Sequence, residues 1–186
     1  MLESFFNPGS IAVIGASRDP RKVGYAVLHN LIQFNYRGCI YPINPSSDSI
    51  LGLKTYPLAS AVGKPIGLAA IAVPAHAVAD ALLDCSAAGA GAAVVLSAGF
   101  KEAGAEGVRL EERLKEISIK HGIRILGPNC LGIINTANDM NASFAGGMLP
   151  KGKTAFFSQS GALGIAILDW ALGNNMGFSK FISLGN

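Results

Sequence analysis

A chain of 186 residues that is 50% hydrophobic and only 15% charged, with 23 glycines, is long enough for a sizeable core and has the composition of an α/β protein whose strands are covered on both faces. Its net charge of +3 is small and dispersed, which excludes nucleic acid or a membrane surface as an expected partner. Any cations that matter must act locally.

The first element is an apolar strand, Ile11 to Ile14, which stops at Gly15. A polar loop holding Arg18, Arg21 and Lys22 follows, and an amphipathic helix starts at Gly24. A parallel strand feeding a helix aims backbone N–H groups and the positive helix end beyond the strand's carboxyl end, so an anion is expected there. A dinucleotide fingerprint needs glycines at positions 15, 17 and 20, but the chain has Gly15, Ser17 and Pro20, which weakens NAD. The longer loop and its three cations fit a ligand with more phosphate charge than one pyrophosphate. A plain strand-to-helix turn with solvated Arg and Lys is the alternative.

Tyr25, Leu28, Leu31 and Ile32 fall at helical spacing, and 35–38 ends that helix. A second strand, 39–45, is bounded by prolines. Where NAD-binding folds place a ribose-binding carboxylate, it exits through Asn44 and Pro45, so a phosphate near the ribose would not be repelled. Residues 46–65 are rich in turns, with a short extended piece at 53–56. Buried strands follow at 67–73 and 92–97, a helix from His76 to Ala88, an amphipathic outer helix from Gly107 to His121, and a strand from Ile123 to Leu126.

This alternation predicts one doubly wound parallel sheet with its loops gathered at the carboxyl edge. The expected organisation is a Rossmann-like domain over 1–135, a polar, glycine-rich linker over 136–152, and the start of a second α/β domain over 153–186. That second part carries a strand at 154–157, a helix through Leu163, Ile167 and Trp170, and a strand at 178–183; one strand-helix-strand unit is too small to stand alone.

Cys39, Cys85 and Cys130 lack any C-x-x-C spacing, which argues against a disulfide framework or a zinc site and for a reducing compartment. The apolar stretch from Ile66 to Leu83 is broken by Pro74, His76 and Asp80, against a membrane span. The opening residues lack a signal-peptide pattern, and a cytoplasmic location is expected.

Gly147 to Thr154 satisfies the P-loop pattern, but it precedes a strand where a P-loop precedes a helix, so ATP binding there is not expected. Ser160 lacks the flanking glycines of a nucleophile elbow. Ser158, Ser160 and Gly161, at a helix start, could hold a phosphoryl oxygen or simply cap the helix. His29, His76 and His121 have no metal-ligand spacing. Cys130 reads as a packed residue that also touches ligand.

Six ordered segments carry a resemblance that covers nearly the whole chain. They are Gly15 to Gly24, Tyr41 to Pro45, Ala72 to Ala75, Ser97 to Glu102, Gly127 to Gly132 and Ser158 to Leu163. Together they resemble the ADP-forming (NDP-forming) acetyl-CoA synthetases, which are similar to the succinyl-CoA synthetase alpha subunit. The resemblance implies a coenzyme A-binding Rossmann-like domain followed by a flavodoxin-like ligase domain. It also implies interconversion of acyl-CoA, ADP and phosphate with carboxylic acid, CoA and ATP, through an acyl phosphate and a phosphohistidine.

The implied CoA or acyl-CoA contacts are Gly15, Ala16, Ser17, Arg18, Lys22, Asn44, Pro45, Val73, Pro74, Leu96, Ser97, Ala98, Asn129 and Cys130. Ser158, Ser160 and Gly161 would face the phosphoryl group. ATP or ADP and Mg, and an ATP-grasp domain or subunit, belong to the complete enzyme. None of the three histidines matches the family's phosphohistidine motif, so the chain by itself is expected to bind CoA and catalyse nothing. The competing readings are a CoA-sensing, ligase-like region of a protein acetyltransferase, and an NAD-binding redox module.

Overall fold

The structure, a computed structural model, describes residues 2–186. A short helix α1 (Glu3–Phe6) leads into β1 (Ser10–Ile14), α2 (Val23–Gln33) and β2 (Cys39–Ile43). A small hairpin of β3 (Ser49–Ile50) and β4 (Leu53–Lys54) follows. Next come β5 (Leu68–Ile71), α3 (Ala75–Ala87), β6 (Ala92–Val95), α4 (Ala105–His121) and β7 (Arg124–Leu126). The remainder is β8 (Gly132–Asn135), β9 (Met140–Ser143), β10 (Lys151–Ser158), α5 (Gly161–Gly173) and β11 (Phe178–Ser183).

The first sheet is parallel throughout, in the order β2-β1-β5-β6-β7. Its central strands alternate between two cores, which explains why they read as unbroken apolar runs. Ile11, Val13, Leu68, Ala70 and Val94 turn toward Val27, Leu28 and Leu31 of α2. Ala12, Ile14, Ala69, Ile71 and Val95 turn toward Val78 and Leu82 of α3 and Leu114 and Ile117 of α4. Pro42 can sit inside β2 because that strand lies at the sheet edge.

The second sheet is mixed, in the order β10-β11-β8-β9. Its strands β10 and β11 are parallel, joined through α5, and the other pairs are antiparallel. Ile133, Met140, Ala142 and Ile182 pack into the core under α2, so this helix is shared by the two sheets. Leu131, Ile134 and Phe181 face the other way, toward Leu168 and Ala171 of α5.

The middle of the chain is more ordered than its sequence pattern shows. Residues 132–135 pair by hydrogen bonding with strands of the second sheet. Within the expected linker 136–152, Met140–Ser143 is a fully buried strand, and Lys151 already begins β10. Asn141 and Ser143 look like linker residues in sequence, but their polar atoms are paired locally. The Asn141 Oδ1 accepts from the Ser143 N–H at 3.1 Å and the Ser143 Oγ at 2.6 Å, and Asn141 Nδ2 donates to the Gly147 carbonyl at 2.8 Å. Buried polar groups satisfied in this way are tolerated in a core.

Candidate ligand crevice at the carboxyl edges

The strand order of the first sheet reverses direction between β1 and β5, the place where open α/β sheets bind ligands. Gly15 leaves β1 there with φ +85°, and a Cβ on it would lie 2.6 Å from the Ala72 carbonyl oxygen. Gly24, near the start of α2, is equally constrained, since a Cβ would fall 2.0 Å from the Gly15 carbonyl oxygen. Only glycine lets the strand exit, the neighbouring loop and the helix approach this closely.

Loops from the other strands are tied to one another at the same edge. The Ser97 hydroxyl donates to the Val73 carbonyl at 2.6 Å, and the Asn129 N–H donates to the Ser97 carbonyl at 2.9 Å. These contacts wall a cavity of about 790 Å³. Of the residues expected from sequence, Gly15, Ser17, Lys22, Val73, Pro74, Leu96, Ser97, Ala98, Asn129, Cys130 and Gly161 line it. The starts of α2, α3 and α5, at Lys22–Val23, Pro74 and Gly161, all reach its wall, which favours a negatively charged ligand.

Ala16, Asn44 and Pro45 line a second cavity of about 390 Å³, with Gly15 and Val73 common to both. The Asn44 Nδ2 donates to the Ala16 carbonyl at 2.7 Å and fastens the β2 exit to the first loop. Arg18 is in neither wall: its Nε and Nη2 donate to the Ser49 carbonyl at 3.0 and 2.8 Å. Arg21 is paired with Asp19 at 2.9 Å, and that bond holds the Asp19 carboxyl below the usual carboxylate range. Of the three loop cations, Lys22 alone reaches the larger cavity.

Ser158 and Ser160 also stay off the cavity wall. The Ser160 hydroxyl accepts from the Leu163 N–H at 3.2 Å and caps α5, while the Ser158 hydroxyl accepts from the Ser160 N–H at 3.0 Å and holds the turn before the helix. Gln159, between them, lines the cavity instead. Cys130 forms wall, not nucleophile. Burial pushes its thiol up to about 12 and the S–H donates to the Val95 carbonyl at 3.4 Å, so at neutral pH it stays protonated. None of His29, His76 and His121 lines either cavity, and His29 stacks on Tyr25 along α2.

Phe144, Gln159, Gly185 and Asn186 were not expected at the crevice, and all lie beyond the expected first domain. The ends of β10 and β11 meet the carboxyl edge of the first sheet, so the cavity lies between two carboxyl edges. A ring of hydrogen bonds closes one side. Asn129 Nδ2 donates to Asn186 Oδ1 at 3.2 Å, and Asn186 Nδ2 donates to Glu102 Oε2 at 2.5 Å. Glu102 Oε1 accepts the N–H groups of Gly99 and Phe100 at 2.6 and 3.1 Å. Partial burial pushes the Glu102 carboxyl up, but these donors outweigh it and hold the group at about 2. The only sign of this ring in the sequence is that Glu102 ends the Ser97 to Glu102 segment that carries the resemblance.

Residues 9–136 match the family model described as CoA binding domain, and residues 151–186 match that of the succinyl-CoA ligase like flavodoxin domain. The chain is 46% identical over its full length to the alpha subunit of acetate–CoA ligase [ADP-forming] II of Pyrococcus furiosus, covering 40% of that protein. It is 49% identical over 96% of its length to the acetate–CoA ligase [ADP-forming] of Methanocaldococcus jannaschii, covering 25% of it. A solved dinucleotide forming acetyl-coenzyme A synthetase 1 of Ca. Korarchaeum cryptofilum, in complex with phosphate and ADP, superposes with a TM-score of 0.95 at 43% identity. That match covers all of this chain and 39% of the other. The chain thus spans two fifths or less of the length of these relatives. Among the described residues, no helix is long and apolar enough to cross a membrane.

Proposed function

The chain belongs to the CoA-binding domain family, and from that premise we propose that it is the CoA-binding portion of an NDP-forming acyl-CoA ligase. The observation that carries this reading is the convergence of Gly15, Ser17, Lys22, the Val73–Pro74 turn, Ser97–Ala98 and Asn129–Cys130 on one cavity met by three helix starts. Its volume has room for an extended thiol-bearing arm, and its backbone N–H groups and Lys22 suit the pyrophosphate. An ammonium beside the helix start adds a point charge to the dipole, which together favour a doubly charged group over a neutral one.

In this reading the chain holds CoA or acyl-CoA while acyl-CoA, ADP and phosphate are exchanged for carboxylic acid, CoA and ATP. The steps that use ATP or ADP and Mg²⁺ are assigned to the part of the relatives' length that this chain does not span, an ATP-grasp domain or subunit. The residues along the crevice bind and orient; Cys130, protonated and bonded to the Val95 carbonyl, takes no part in group transfer.

Calorimetric titration with coenzyme A and with NAD tests the proposal. CoA should bind and NAD should bind at least tenfold more weakly, because Ser17 and Pro20 stand where the dinucleotide turn needs glycine. Equal or tighter binding of NAD, or no binding of CoA, would overturn it.

A further inference from the structure

A sheet edge left open is a template for another strand, and the edges of the two sheets are not treated alike. The β2 edge carries Pro42 and is covered by Tyr56, which donates its N–H to the Pro42 carbonyl at 3.0 Å and accepts from the Asn44 N–H at 2.9 Å. β7 is three residues long. β9 is buried along its whole length, and Asn30 of α2 donates to the Ser143 and Ala145 carbonyls beside it. β10, by contrast, is eight residues long and has no strand on its outer side among the described residues.

The outer side of β10 is fit for pairing. The Thr154 and Ser158 carbonyls turn to β11, where they accept from the Ser179 hydroxyl at 3.1 Å and the Leu184 N–H at 2.8 Å. The alternate residues Ala155 and Phe157 therefore turn their N–H and C=O groups outward. Apolar surface flanks this edge on both faces of the sheet. Phe156 stacks on Phe181 beneath α5, so Phe157, the next residue, lies on the other face, and it is 58% exposed. On α5, Leu172 lies toward Gly147 in the loop after β9. Leu163, Ile167 and Trp170, at i, i+4 and i+7, form the opposite flank, over β10. Leu163 and Trp170 are 52% and 53% exposed, and Asp169 is the one charged residue of this helix.

We propose that the β10 edge and this flank of α5 form the contact between two copies of the chain, related by a two-fold axis through the sheet. Identical edges related in this way run antiparallel. Lys151 and Lys153, at the start of one β10, then face the uncharged 155–158 segment of the other, so no lysine stands across from a lysine. A net charge of +3 adds little repulsion between the copies. The same axis brings the two α5 flanks together on one face of the joined sheet and the two Phe157 rings together on the other. The covered surface, roughly 500 Å² per partner from half-exposed aromatic and leucine side chains and the strand between them, is what a weak but specific dimer needs.

Sedimentation velocity over a concentration series tests this. The wild type is expected to pass from monomer to dimer with a Kd on the order of 10–100 µM. Trp170→Ala, which removes an exposed ring and leaves the buried side of α5 intact, should weaken the dimer by about tenfold or more. Ala155→Pro removes an outward N–H and no bond to β11, and should abolish the dimer. Circular dichroism below the Kd shows whether each variant is folded. Where Ala155→Pro does not fold, amide exchange in the wild type decides: Ala155 and Phe157 should exchange severalfold more slowly as the concentration rises through the Kd. A chain that stays monomeric throughout, a dimer that survives either substitution unchanged, or exchange at Ala155 and Phe157 that is independent of concentration overturns the proposal.

Discussion

The two sheets solve the problem of burial in different ways. The first has helices on both faces, and its central strands β1, β5 and β6 are buried along their whole length. The second borrows one face of α2 for half of its core and has α5, with Ala145 and Leu149 of the loop after β9, on the other side. Its outer surface keeps Phe157, Leu163, Ile165 and Trp170 exposed, at 58%, 52%, 44% and 53%. The ligand-facing loops are therefore carried by the self-sufficient sheet, and the second sheet supplies a wall whose position depends on α2. Precision at the crevice comes from the first; closure of the crevice comes from the seating of the second.

The most severe way to break this arrangement is Gly24→Ala. The new Cβ would sit 2.0 Å from the Gly15 carbonyl oxygen, backbone that has no room to yield. A shift of α2 disturbs both sheets at once, so denaturant unfolding should show a loss of about 3 kcal/mol or more in a single transition. Two separate transitions would mean that α2 is not common to both cores.

Asn30→Ala sharpens the comparison, because its Nδ2 donates to the Ser143 and Ala145 carbonyls, both at 2.9 Å, from inside α2. Losing a buried donor to two carbonyls should cost about 1–3 kcal/mol. Hydrogen exchange should rise across 132–158 and stay unchanged in β1, β5 and β6. Exchange rising first in those strands would place the weak point in the wrong sheet.

Glu102→Gln addresses the ring that joins the sheets. Its folded carboxyl is held at about 2, below an ordinary value of 4.5, so its contribution is present in full above about 4.5 and is lost as pH falls toward 2. The wild type should therefore be more stable than the variant at pH 6, and the gap should close on acidification to pH 2. A gap that is constant with pH would show that the Asn186, Gly99 and Phe100 donors do not favour the ionised form. The smallest effect is expected from Trp170→Ala, on the exposed side of α5, at within about 0.5 kcal/mol of wild type.

The same contrast governs what could be read from the sequence. Parallel strands buried on both faces leave apolar runs between glycine and proline, so the five strands of the first sheet and the loops at their carboxyl ends were legible. The strand at 140–143 was not, since Asn141 and Ser143 satisfy each other locally and carry no apolar period. The first loop reads in sequence as an anion site, but the direction of each of its cations does not show there. Arg18 turns to a carbonyl in a hairpin that is far along the chain, and Arg21 turns back to Asp19. Gln159 and Asn186 were missed for a related reason: nothing in the local pattern of 151–186 tells that its strand ends face those of the first sheet.

The central claim is that one crevice between two carboxyl edges receives coenzyme A. Its most direct test is a titration of the isotope-labelled protein with coenzyme A, followed by amide resonances in a two-dimensional NMR spectrum. The account predicts that the largest shifts fall on Gly15, Ser17, Lys22, Val73, Ser97, Asn129 and Gln159, residues far apart in sequence that share one wall. Shifts confined to the exposed face of α5 and β10, or scattered with no cluster at Gly15 and Val73, would contradict it.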